Sequence, residues 1–335
     1  MPDTRQDPLL PVASAAASPL ATVWACINLF ATTVGAGILS VPICFGYCGS
    51  SLLALLLLAV FMVLSAASLL FIAGAAARTG AHSYLHLGER CYGRTGASFV
   101  LWSLMGLLCS AVVQVMIIIV DLAEMLLARY APVWMAPSRT LLFVIIAALE
   151  VPLCLPRELH QLRFTSSLSV IAILFTCACI VELAISHPSS DGVGADGADG
   201  AGGADGTDEA TPQTAGDWLL AMPIFSLAYC SQFNVLDLAQ TLPKASRDTT
   251  LPTVVYVAMG GAFCAYALVG LACYALLGDT TLRYPNVLTA FGSVPLVAFG
   301  SLAIACVNYL KMPLVRTPLP ITPWHNAPRA PHLTP

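Results

Sequence analysis

The stretch INLFATTVGAGILSVPICFGYCG, residues 27–49, is apolar enough to lie in lipid yet carries the residues that interrupt a helix. Gly35 and Gly37 stand one residue apart beside Thr32 and Thr33, and Pro42 follows closely. Glycine loses the most conformational freedom when held in a helix, and proline lacks the N–H that a helix uses, so this segment unwinds easily. Glycines also let membrane helices approach one another, so Gly35 and Gly37 can equally be read as packing residues until a second interruption is found. That interruption lies in 217–240. Pro223 precedes IFSLAYCSQFN (224–234), which sets Ser226, Tyr229, Cys230, Ser231, Gln232 and Asn234 in the middle of an apolar run. Polar groups at that depth are costly unless they face a cavity or one another.

Outward from these two segments, the chain is 335 residues long, 58% apolar by the broad count and 10% charged, with a mean hydropathy of +0.82. Soluble domains carry about 25% charged residues, so the expected class is an all-α polytopic membrane protein with the lipid bilayer as its main solvent. A helix needs about 20 apolar residues to cross about 30 Å of hydrocarbon. Eight stretches read as such spans: 21–44, 50–77, 97–127, 140–156, 164–186, 217–240, 251–277 and 287–312, together a transmembrane domain over 21–312. Residues 1–20 contain Pro2, Pro8, Pro11, Pro19 and a single Arg5, which reads as a cytosolic tail and not as a signal peptide. A second, Pro-rich cytosolic tail is expected over 313–335.

Orientation follows from the basic residues, because cytoplasmic loops hold the excess of Lys and Arg. With the N-terminus cytosolic, eleven of them face the cytosol and three, Arg129, Arg139 and Arg283, face outward. The loop 188–216 then lies outside. Its Ala-Asp-Gly triplets at 195–197, 198–200 and 204–206 lack the spacing of a calcium loop and read as a disordered acidic linker. Six of the eighteen acids lie between Asp191 and Glu209 and account for the net charge of −4. A short surface helix is expected within 78–96. No basic tract suited to nucleic acid is present. Eleven of the twelve cysteines lie in apolar runs and read as small hydrophobes; no cofactor or metal is expected.

Two discontinuous helices, the first and the sixth, are the sequence sign of transporters built from two inverted five-helix repeats. In these, half-helix N-termini meet anionic groups and freed carbonyls meet cations near the midplane. The residues themselves carry a resemblance. NLFATTVGAGILSVP (28–42) resembles the first-helix motif of the amino acid/auxin permease family, within the amino acid–polyamine–organocation superfamily. RELHQLRFTSSLSV (157–170) resembles its fourth-to-fifth helix junction, and IFSLAYCSQFNVLDLAQTLPKAS (224–246) its sixth helix and the loop beyond. The similarity covers roughly 20–316. It implies a leucine-transporter-like inverted-repeat fold and secondary transport of an amino acid coupled to protons or sodium, in the plasma membrane or that of an acidic organelle.

The departures from that pattern are specific. The family has about eleven helices against the eight read here, and although YLKMPLVR (309–316) resembles the hairpin into its ninth helix, six prolines in 317–335 exclude a further helix. An incomplete second repeat is therefore expected, as in a C-terminally truncated member. Gln232 stands where many members have His, and Thr241 near where many have an acid. Ala31 stands where sodium-coupled members carry Asn, which makes proton coupling the expectation and sodium the alternative.

In the superfamily's geometry, the unwound segment Thr33, Gly35, Ala36, Gly37 and Ile38 offers backbone N–H groups to a substrate carboxylate, while carbonyls around Ser226–Cys230 take its ammonium. Phe225 and Tyr229 either wall the side-chain pocket or simply pack, and Asn234 shares a face with Ser231. Asp237, just past the second break, is the leading coupling-ion candidate. Asp121 and Glu124, one turn apart near the outer end of the third span, form either a proton relay or a solvated helix end. Glu150, Glu182, His86 and His160 read as boundary or surface groups. No Gly-x-Ser-x-Gly elbow, His-Glu-x-x-His or phosphate loop points to an enzyme. The competing expectation is a non-transporting paralogue that senses amino acid or serves as an assembly partner.

Overall fold

The computed structural model describes residues 19–130, 138–153, 163–186, 216–243, 246–284, 286–291 and 294–311, and among these all regular structure is helical. The acidic loop, both tails and His160 lie outside the described residues, as does the side chain of Glu150. The helices are α1 (Pro19–Val34), α2 (Val41–Cys48), α3 (Ser51–Thr79), α4 (Tyr84–Tyr130), α5 (Arg139–Leu153), α6 (Arg163–Ser186), α7 (Trp218–Ala228), α8 (Val235–Thr241), α9 (Arg247–Leu277) and α10 (Pro295–Lys311).

Among the described residues, four helical stretches are each long and apolar enough to cross a membrane: Ser51–Thr79, Tyr84–Ala128, Trp218–Thr241 and Arg247–Leu277. The bent pair Pro19–Val34 and Gly37–Cys48 makes a fifth if it counts as one span. The fourth, fifth and eighth stretches of the sequence reading fall on α5, α6 and α10. The last begins later than expected. Residues Val287–Phe291 form a 3-10 turn whose Leu288 N–H donates to the Asn286 side-chain oxygen at 3.2 Å, and the α-helix starts at Pro295, a residue suited to a helix's first position. In α4, Gly93 adopts φ +66°, so the chain turns between a short first part and the long apolar run that follows.

The leucine-rich α3 shows how these sequences meet lipid. Its Leu58, Ser65 and Leu69 turn into the bundle, while Leu52, Leu56, Val63 and Phe71 stay exposed on the other face. In water such a face would be an aggregation surface; in a bilayer it is solvated by acyl chains. The helix stops at Gly80, whose left-handed φ of +65° lets its N–H reach Ala76 O.

At the centre stands α9, packed against α1, α2, α3 and α6. Val254, Val255, Ala258, Met259, Ala262, Tyr266, Val269 and Cys273 recur every three or four residues and are all buried. Gly270 belongs to the same face, and a Cβ built there would sit 2.2 Å from the ring of Phe45 on α2; only a residue without one admits that ring. Around this centre α1 packs on α8 and α2 packs on α7. Because the first half of one broken helix meets the second half of the other, the two run antiparallel and their breaks lie side by side.

Candidate functional site

The first break follows from local sequence. In the last turn of α1, the Thr32 and Thr33 hydroxyls donate to the carbonyls of Asn28 and Leu29, each at 2.8 Å, a local bond that competes with helix continuation. Gly35 leaves helical geometry (φ 5°, ψ −135°), Ala36–Leu39 tighten into a 3-10 turn and α2 resumes at Val41. In the second break α7 stops at Ala228. The N–H of Tyr229 donates to Phe225 O, that of Cys230 to Leu227 O and that of Ser231 to Tyr229 O, before a 3-10 turn over Gln232–Asn234 leads into α8.

The breaks touch. A Cβ added at Gly37 would lie 3.1 Å from the Cα and 3.3 Å from the Cβ of Ala228, so the two backbones meet with no side chain between them. Three neighbouring helices supply donors to the freed carbonyls. Ser65 of α3 donates its hydroxyl to Tyr229 O at 2.9 Å. The Tyr84 hydroxyl at the start of α4 donates to Gln232 O. The Tyr266 hydroxyl of α9 lies 2.7 Å from both Thr33 O and Ala228 O. The Gln232 side chain donates to Ser65 and Ser68 at 3.1 and 3.0 Å, and Asn234 donates to the Asn28 side-chain oxygen at 3.0 Å and to Thr32 at 3.1 Å. All these partners are uncharged. Two hydroxyls are left over: Tyr229, 1% exposed, and Ser231, fully buried, find no partner among the described residues. Buried hydroxyls are rarely left unsatisfied without a reason such as an unfilled ligand position.

The structure therefore brings Thr33, Gly35, Gly37, Phe225, Tyr229, Cys230 and Asn234 to the paired breaks, with Thr33, Ile38, Phe225 and Tyr229 buried. Ala36 is placed there by its backbone. Ser226 is exposed on α7 and does not face the breaks with its side chain. Asp237 sits in the first turn of α8 with an exposed side chain, three residues past Asn234. Asp121 and Glu124 are away from the breaks. Both take the Arg139 guanidinium, Glu124 at 2.8 Å, which ties α4 to α5.

Tyr266, Ser65, Ser68, Tyr84 and Asn28 were not singled out by the sequence reading. Asn28 had a signal, an amide four residues before Thr32 in an apolar helix. Ser65 and Tyr266 had none, because a single hydroxyl on a long apolar helix carries no trace of which carbonyl it meets.

The family described as "Transmembrane amino acid transporter protein" matches residues 19–324. Among curated proteins, the chain is 24% identical over 316 residues to "Solute carrier family 38 member 10" of Mus musculus, covering 90% of this chain and 26% of that protein. The Homo sapiens protein of the same name is 24% identical over 287 residues, 79% of this chain and 23% of its own length. A "Putative sodium-coupled neutral amino acid transporter 10" of Xenopus laevis is 28% identical over 169 residues, 50% of this chain and 16% of that protein. The chain thus spans about a quarter or less of the curated relatives it matches. A match over nearly the whole described bundle, on a chain whose exposed helix faces are apolar, decides the family: this multi-pass membrane protein belongs to the transmembrane amino acid transporter family, a family of transporters and not of enzymes.

Proposed function

We propose that the chain is a secondary active amino acid transporter that binds its substrate between the two helix breaks and works by alternating access. The observation that carries this reading is the contact of two interrupted, antiparallel helices at Gly37 and Ala228, with the buried hydroxyls of Tyr229 and Ser231 left open beside them. A zwitterion leaving water needs both its charges met by fixed groups. Backbone N–H groups of Gly35–Ile38 meet the carboxylate, as at other helix starts, and carbonyls of the Ala228–Cys230 turn meet the ammonium. Phe225 and Tyr229 face the substrate side chain. The architecture proposed with it is a leucine-transporter-like inverted repeat of eight spans with a cytosolic N-terminus.

For coupling, the proposal takes the proton, with Asp237 as the group that carries it. Asp237 stands in the first turn of α8, directly after the turn over Gln232–Asn234 whose Gln232 carbonyl takes the Tyr84 hydroxyl. Asp121 and Glu124 are the secondary candidates, each with one carboxylate oxygen on Arg139. Sodium coupling is the second reading, favoured by the printed name of the Xenopus relative.

The test is uptake into proteoliposomes holding the purified chain, with a mixture of labelled amino acids and either an imposed pH gradient or an imposed sodium gradient. Accumulation under the pH gradient alone is expected. Accumulation under the sodium gradient alone assigns the second reading. Saturable binding without uptake under either gradient would replace transport by amino acid sensing.

A further inference from the structure

Of the hydroxyls that reach carbonyls of the breaks from other helices, Ser65 and Tyr84 each meet one, whereas Tyr266 meets two. Its hydroxyl lies at the same 2.7 Å from Thr33 O and Ala228 O, and a phenol has one proton to give. Both acceptors belong to the C-terminal turns of half-helices, α1 and α7, where the backbone dipoles leave partial negative charge. In a continuous helix the amide four residues on would take each carbonyl, but the chain has left helical geometry by Gly35 in one case and by Tyr229 in the other. Two like dipole ends, brought together in a site closed to water, separate unless a donor stands between them. Tyr266 is that donor. Its side chain is fully buried, its ring stands edge-on to Tyr229 at 5.2 Å and 85°, and a Cβ at Gly37 would come within 3.5 Å of its hydroxyl.

We propose that Tyr266 is a positioning residue: its hydroxyl pins the ends of α1 and α7 together and holds the Thr33 and Ala228 carbonyls at the spacing that a primary ammonium bridges. The phenol can satisfy one carbonyl fully, or both partly. A primary ammonium has three protons and satisfies both, so the empty site is one donor short of what its ligand brings. The ligand half of this inference rests on the reading of the breaks as an amino acid site; the pin does not.

Two measurements test it on the full chain. The first reports on the pin without any transport. With Cys44 and Cys230 replaced by Ala, the pair Gly37→Cys and Ala228→Cys is oxidised with copper phenanthroline, and the cross-linked peptide is quantified by mass spectrometry. The built Cβ at 37 lies 3.3 Å from Ala228 Cβ, close to the range of about 3.5–4.5 Å that a disulfide uses. Tyr266→Phe keeps the ring and removes the donor. It should slow cross-linking at least about fivefold, and 4-aminophenylalanine at 266, which restores donors at the same place, should bring the rate back. An unchanged rate in the Phe variant overturns the pin. The second measurement is amino acid uptake by the otherwise unaltered chain. Tyr266→Phe should raise the half-saturating concentration roughly tenfold with the maximal rate kept, and 4-aminophenylalanine should restore it, whereas a purely structural loss would lower the maximal rate. Slower cross-linking with an unchanged half-saturating concentration overturns the ammonium role. If the unaltered chain neither takes up nor binds amino acid, the reading of the breaks as an amino acid site and the ammonium role fall together, while the cross-linking rate still decides the pin.

Discussion

At the scale of single residues, the break positions are decided by what they lack. A Cβ on residue 37 would lie 3.1 Å from the Ala228 Cα, and Ala228 is itself buried. Gly37→Val is expected to abolish uptake while the protein still reaches the membrane. The branched side chain collides with the second break and stands where a carboxylate must approach backbone N–H groups. Measuring uptake against surface-labelled protein checks this, and normal uptake would return Gly35 and Gly37 to the role of packing glycines. Asp237 acts at the same scale by its charge. Replacing it with Asn removes the proposed proton carrier but keeps its shape, so on that proposal Asp237→Asn should flatten the dependence of uptake on an imposed pH gradient. A slope equal to that of the unaltered chain would take Asp237 out of the coupling step.

Between elements, stability depends on close approach more than on charge. The clamp of Arg139 on Asp121 and Glu124 joins α4 to α5, but its guanidinium is half exposed, and such pairs are worth only about 0–1 kcal/mol. The contact of α2 with α9 is of another kind. Phe45 is fully buried and its ring fills the space that a Cβ on residue 270 would need. Gly270→Ala is therefore expected to destabilise by about 1–3 kcal/mol, the usual cost of overpacking a tight core. Thermal unfolding of the detergent-solubilised protein reads this directly, and an unchanged midpoint would mean that α2 slides on α9 at little cost. Because α2 is the second half of the first broken helix, the same substitution should also weaken uptake.

For the whole molecule, orientation rests on the basic residues. Eleven against three, on opposite sides of the eight proposed spans, are the ground for proposing a cytosolic N-terminus and an acidic loop on the other side. A cysteine introduced at Gly203, on a background cleared of native cysteines, should react with an impermeant maleimide in intact cells if the chain sits in the plasma membrane. In an organelle, the same site should be protected until the lumen is opened. Reaction on the cytosolic side in either setting would reverse the topology and overturn the span count with it.

The membrane class and the interrupted helices were legible in the chain itself, because both rest on local chemistry. Apolar runs long enough to cross a bilayer, repeated along a chain with 10% charged residues, point to lipid whatever the packing, and the pair Gly35–Gly37 or the polar cluster after Pro223 weakens a helix without help from any neighbour. Asn234 and Thr33 could be named for the same reason. Tertiary structure alone decided which carbonyls the breaks leave to other helices and who meets them: Ser65 of α3 at Tyr229, Tyr84 of α4 at Gln232, and Tyr266 of α9 between Thr33 and Ala228. It also decided that Ser226 faces away and that Arg139 occupies both Asp121 and Glu124. Thr33 and Tyr266 are 233 positions apart, and a hydroxyl finds its acceptor through the packing of whole helices, to which no local periodicity answers.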